Sequence, residues 1–530
     1  MNEYQREAAE ALPAPVSDYA ARAAEAQRRY QQLKEASASP AGAALTLGGL
    51  AFGILMVEMT LLYPTGLSVL LLATGLQALL FFPFRDRAGR DFRLLGLLLL
   101  LTAAGYPLHY TPSTRWLCSL GLLAGFALQL ATLEGGSPFS SGTILSLLSR
   151  LAGEPLVHLG LPFSALGSLR STKSRAVRAG AAILLGLALA TPVGGILLLL
   201  FSAADAAFGA AMETFFRSLR LTPASLFCDL MLGGTLGLLL AARLLCARFF
   251  KREQTASEKA ALFRIPTLAS GAFLGCICAI TLCFVGFQFA YLFGGEQTRA
   301  AWEMTYSDYA RRGFFELCAA SAIIFGAALL ALIFTRAKEN HLPHSIRALA
   351  LTLCLGDFII LASALRRMLL YISVYGMSIR RILTLWGMGV IFIGLMLLVI
   401  RCIYERLPVI RLLFLTGFFA LCLISLLNTE RLTASWNIRQ MEKGNIPFDS
   451  GFFQELSYTA APQLEELHQA FPEKQTELEA ILTQMQRQYQ RRHPLYSFSL
   501  DQLQAKEVFE RLLPPENLPR PEAEETGESA

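Results

Sequence analysis

The sequence predicts an all-α, polytopic membrane bundle carrying a small helical tail. Three observations predict it. Of 530 residues, 54% are hydrophobic and only 16% charged, where a soluble domain carries about a quarter charged residues. Apolar stretches long enough to cross a hydrocarbon core, about 20 residues each, recur from residue 42 to 428. After residue 428 the composition turns abruptly polar. The mean hydropathy of +0.47 excludes an intrinsically disordered chain, and the shortage of charge argues against a soluble enzyme.

The elements follow in order. Residues 1–41 read as a polar helix rich in Ala, Glu, Arg and Gln, with no sustained apolar face. They offer no apolar core for a cleavable signal peptide, so the first span is expected to act as an uncleaved anchor. About eleven spans are expected, near 43–63, 66–84, 94–110, 116–133, 179–203, 226–247, 267–292, 313–335, 347–365, 382–402 and 411–428. Pro64-Thr65-Gly66 makes a tight turn between the first two, which favours an antiparallel hairpin. Pro107 and Pro112 break the third and fourth. In the long 134–176 loop, Ile144, Leu145, Leu147, Leu148 and Leu151 recur at helical spacing, as expected of an interfacial helix, and 204–220 is a second candidate.

The tail, 429–513, is expected to be a small helical domain. Leu478, Ile481, Leu482, Met485 and Tyr489 form one stripe. Ser499 with Gln502 resembles a capping box that opens a helix through Leu513. These stripes are expected to pack on each other. Residues 514–530 are Pro- and Glu-rich and read as disordered. No internal repeat marks transporter-like halves.

The net charge of +6 hides its parts: the first 41 residues carry −1, the tail −7, and the bundle between them +14. With the N-terminus in the cytoplasm, the cytoplasmic loops hold 20 Lys and Arg and the other side 10, as the positive-inside rule requires. An odd number of spans then places the tail outside the cell membrane. Arg366, Arg367, Arg380 and Arg381 violate the rule by lying on the outer side. The basic balance is a topological signal and does not point to nucleic acid.

No phosphate-binding Gly loop, nucleophile elbow or HExxH helix is present. The ten cysteines lie in or beside apolar stretches without a CxxC pair and read as small buried hydrophobes. His341 and His344 read as solvated loop residues. No catalytic residue, metal or cofactor is expected. Ionisable groups within the spans carry the functional signal, because a charge at a helix centre costs at least about 2.5 kcal/mol to insert. Asp357 lies mid-span, Glu58 and Asp229 nearer the outer ends. The functional reading of Asp357 is a proton or ion pathway; the structural one is an interhelical hydrogen bond.

Two polar stretches stand out. In WEMTYSDYARRGFFEL (302–317), Asp308, Arg312 and Glu316 stand four apart and form a ladder on one helix face, with Tyr306 and Tyr309 one turn apart and Arg311 beside them. In RRMLLYISVYGMSIRRIL (366–383), the pairs Arg366-Arg367 and Arg380-Arg381 bracket Tyr371 and Tyr375. Placed on one side, the two stretches make a cationic, aromatic-lined mouth suited to an anionic lipid or a small anionic ligand, or simply helices held at a fixed angle by ion pairs.

These stretches, with the tail opening NTERLTASWNIRQMEKGNIPFDSGFFQELSYTAAPQLEEL (428–467), resemble a bacterial family grouped as domain of unknown function 4153 and its relative 4173. The tail carries the family's Asn-x-x-x-Leu-x-x-x-x-Asn-Ile element at Asn428, Leu432, Asn437 and Ile438, then Asp449 and Leu456-Ser457. It departs at Met441, where the family usually has an aromatic residue. The resemblance spans roughly 180–470 and implies a multi-pass membrane protein without assigned catalytic residues. Three functions stay open: transport or channel-like conduction through the outer mouth and Asp357, a regulatory or envelope-associated scaffold, and an enzyme acting on a lipid-linked substrate.

Overall fold

A computed structural model describes residues 14–60, 66–109, 111–133, 153–168, 229–249, 265–293, 314–335, 341–489 and 498–513. They form helices α1 (Ala14–Ser37), α2 (Pro40–Thr60), α3 (Leu67–Phe81), α4 (Arg90–Leu108), α5 (Pro112–Thr132), α6 (Gly160–Gly167), α7 (Gly234–Phe249), α8 (Thr267–Phe293), α9 (Phe314–Phe334), α10 (His344–Tyr375), α11 (Ile379–Ile403) and α12 (Val409–Leu426). The tail adds α13 (Thr429–Glu442), α14 (Ala461–Ala470), α15 (Gln475–Tyr489) and α16 (Leu500–Leu512). Among the described residues, nine helices are long and apolar enough to cross a membrane, and α3 is a shorter apolar one. The expected spans at 66–84 and 94–110 appear as α3 and α4, the latter running through Pro107. The span at 179–203 and both interfacial helices lie mainly outside the described residues.

Ion pairs and docking contacts sort the helix ends into two groups. At one end Arg248 meets Asp86 at 2.9 Å, Arg411 meets Asp91 at 2.5 Å, and Glu405 meets Arg347 and His341. This end gathers the Arg-rich loops and is called the basic end below. The Arg248 guanidinium holds the Asp86 carboxyl below its usual range, and a hydrogen bond from His341, with Arg347 nearby, does the same for Glu405. The two histidines are therefore partners in an ion cluster: His344 meets Arg347 just as His341 meets Glu405. At the other end sit the tail helices, so α10 starts basic and finishes against the tail.

Three packing devices join the spans. The glycines of α2, Gly49 and Gly53, face Gly233, Gly237 and Ala241 of the α7 segment so closely that a Cβ on Gly237 would lie 2.7 Å from the Leu50 Cα. This is small-residue packing, which lets backbones approach where no hydrophobic force separates protein from lipid. Gln77 of α3 and Gln129 of α5 exchange two hydrogen bonds of 2.8 Å, and Gln129 also donates to the Phe92 carbonyl of α4. Ser425 of α12 donates to the Thr102 carbonyl of α4 at 2.7 Å, where Gly105 leaves it room.

The tail folds around its own core. Leu478, Ile481, Leu482 and Met485 are buried with Leu464, Leu467, Val508 and Phe509, so the amphipathic stripes pack on each other. The Gln502 side chain accepts from the Ser499 amide at 3.2 Å, one half of the expected capping box.

Candidate functional site

The site builds from three helices, α8, α9 and α10. Each buries a stripe at spacings of three and four: Ser270, Leu274, Cys278, Thr281 and Val285 on α8; Leu317, Ser321, Ile324, Ala328 and Ala331 on α9; Ile346, Ala350, Leu353, Asp357, Ile360, Ala364 and Met368 on α10. Such stripes interlock like the seam of a coiled coil. Most positions are apolar. Asp357 occupies a core position and is 0% exposed.

The level of Asp357 follows from helix rise. Thr281, Ser321 and Asp357 each stand 13 or 14 residues from the basic end of their helix, which at 1.5 Å per residue is about 20 Å. The three side chains therefore share one layer near the middle of the bundle. The Thr281 methyl lies 3.1 Å from where a Gly356 Cβ would be, so the α8 surface presses on α10 here. Ser321 of α9 faces the Asp357 carboxyl, yet neither the Ser321 hydroxyl nor either carboxyl oxygen meets hydrogen-bond geometry with any partner. Other titratable groups near Asp357 are thiols, Cys354 on its own helix with Cys278 and Cys402 beyond it. Among the described residues no group of three His, Cys, Asp or Glu is placed to hold a metal.

At the tail end the structure relocates the arginine group. The expected outer loop at 366–381 is largely helix: α10 continues to Tyr375, 32 residues or about 48 Å. Arg366 follows Asp357 by nine residues, about 14 Å, which puts Arg366 and Arg367 at the edge of a hydrocarbon core roughly 30 Å thick. The chain reverses at Gly376, whose φ of 74° lies in the left-handed region that glycine adopts without strain. Arg381 donates to the Tyr375 carbonyl at 2.8 Å and to the Gly376 carbonyl, and stacks 4.3 Å over the Tyr371 ring. It closes the α10 terminus. The Tyr371 and Tyr375 rings meet at 4.9 Å, tilted by 51°, while Arg366 and Arg380 are exposed. Glu316 is exposed on the first turn of α9. Tyr306, Asp308, Tyr309, Arg311 and Arg312 lie outside the described residues, and so does the expected meeting of the two polar stretches.

The tail docks on this turn through the residues of its motif. The Asn437 side chain accepts from the Met377 amide at 2.7 Å and donates to the Met377 carbonyl at 2.9 Å. Asn428 caps α13 by accepting from the Arg431 amide and also donates to Asp501 at 3.1 Å. Asp501, 2% exposed, pairs with Arg431 at 2.9 Å and lies 3.5 Å from His109 at the end of α4. Glu430 is also 2% exposed and accepts from the Ser457 amide and the Ser457 and Thr459 hydroxyls. Burial drives its pKa up, against those donors, and the nearby Asp501 adds to the rise. Sequence reasoning did not single out Glu430, Asp501, His109, Gln77 or Gln129. A Glu two residues after an Asn cap was the one local sign of the first; the others are joined only in three dimensions.

The fold and this polar layer define an all-α multi-pass membrane protein. Residues 96–467 match the family described as Domain of unknown function (DUF4153), and the chain belongs to that family. No curated protein and no solved structure matches the chain.

Proposed function

We propose that the chain is an ion-coupled transport protein of the cell membrane, with Asp357 as its ion-binding group. The observation that carries this reading is a carboxyl at 0% exposure, mid-span, faced by the Ser321 hydroxyl and by no opposite charge among the described residues. Retaining such a group against an insertion cost of about 2.5–3.5 kcal/mol needs a return. An interhelical hydrogen bond is the structural return, and the Ser321 hydroxyl of α9 is the group placed to give one, short of full hydrogen-bond geometry as packed. An ion site supplies the other, because a single hydroxyl leaves the charged form short of partners until ion or water arrives.

The test is flux. Full-length protein in liposomes with an imposed pH gradient should dissipate it faster than Asp357→Asn at equal reconstituted amount. Equal rates overturn the reading. The family's tail motif favours a second role for the tail as a scaffold, since it folds around its own core and clamps the α10–α11 turn.

The orientation we propose has the basic end in the cytoplasm, supported by its excess of Lys and Arg. The exposed Arg366 and Arg380 then suit anionic lipid head groups at the outer interface. A cysteine placed at Ser450 should react with an impermeant reagent from outside intact cells; protection there, with labelling after permeabilisation, reverses the orientation.

A further inference from the structure

Resting on that reading, we infer that the coupled ion is a proton and that Ser321 is its hydrogen-bonding relay. The argument is the donor set of the layer. Hard metal cations take about six or more oxygen ligands. Sites for them inside membrane bundles are commonly completed by carbonyls freed where a helix unwinds. Here α8, α9 and α10 run unbroken through the layer, so their carbonyls are engaged in the helices' own ladders. The side-chain oxygens of this layer are the two of Asp357 and the hydroxyls of Ser321 and Thr281. Four oxygens are too few to replace a cation's hydration shell, and no second carboxylate faces them among the described residues.

A proton needs only one oxygen and one partner. When it arrives from water, an O–H bond forms on a carboxyl oxygen, and the neutral acid donates to the Ser321 oxygen. When it leaves to water, that bond breaks, and the Ser321 hydroxyl rotates to donate to the carboxylate. A hydroxyl serves both states because it is donor and acceptor at once. The group facing the Asp357 carboxyl is Ser321 of α9; Thr281 of α8 packs against the adjoining Gly356, and Cys354 lies one turn away on α10. None is a fixed charge that would hold the carboxyl in one state.

The experiment is an infrared titration of full-length protein in liposomes. The Asp357 carbonyl band is assigned by its loss in Asp357→Asn or, should that variant fail to fold, by isotope-labelled aspartate. The expected result is a band that rises and falls with pH at a midpoint unmoved by excess sodium over choline. In Ser321→Ala the band should move to higher frequency, because the acid has lost its acceptor. A midpoint displaced by sodium overturns the proton assignment and leaves the transport reading standing. A band that pH does not touch overturns both, and an unmoved band in Ser321→Ala removes the relay.

Discussion

At the scale of single residues, the tail shows how one buried side chain sets pH dependence. Glu430 accepts three hydrogen bonds on one oxygen, yet burial and the neighbouring Asp501 raise its pKa. A carboxyl whose pKa is higher folded than unfolded binds its proton more tightly in the folded state. Folding then loses stability as pH climbs from the unfolded value of about 4.3 towards the raised folded one. The tail is therefore expected to open more readily across that window, and Glu430→Gln to flatten the dependence while keeping an acceptor for Ser457 and Thr459. Hydrogen exchange of α13 and α14 amides as a function of pH measures it; a slope unchanged in the variant contradicts the assignment. Asn437 illustrates legibility at this scale. The sequence marked it as part of a recurrent motif, but nothing local told that its amide would clamp Met377, 60 positions upstream.

At the scale of elements, the close approach of α2 and α7 makes a sharp contrast between two glycines. A Cβ on Gly53 would run into the Gly233 carbonyl and the Gly237 amide, whereas one on Gly75 of α3 meets nothing within 4 Å. Gly53→Val is expected to lower the thermal stability of the detergent-solubilised protein by several kcal/mol, of the order seen for overpacking, about 1–3 or more. Gly75→Ala should be neutral or stabilising by about 0.5–1 kcal/mol. Equal melting shifts would contradict the packing. Helices as such were legible in the sequence, because length and hydropathy decide a span. Their ends were less so. The Arg366-Arg367 pair read as the end of a span, but a membrane releases a helix from apolarity without ending it, and α10 runs two further turns to Gly376. Positive φ at Gly376 and the Arg381 cap are what stop it.

At the scale of the whole molecule, the bundle has a basic end tied by ion pairs and a far end roofed by the tail. Between them, on α8, α9 and α10, lies the polar layer of Asp357. That layer was half legible: Asp357 stood out as a mid-span charge, whereas Ser321 and Thr281 look like ordinary small helix residues until three stripes are brought into register. Its placement explains why a mostly apolar seam contains a carboxyl served by one serine hydroxyl, provided that water reaches it during the working cycle. The most direct measurement is deuterium exchange of the Asp357 carboxyl, followed by infrared spectroscopy of full-length protein in liposomes at a pH where the group carries its proton. On transfer to heavy water, the band that Asp357→Asn removes should shift downwards within the time that exposed side chains exchange. A band that keeps its hydrogen as long as the most protected core amides would contradict the account and make Asp357 a sealed structural residue.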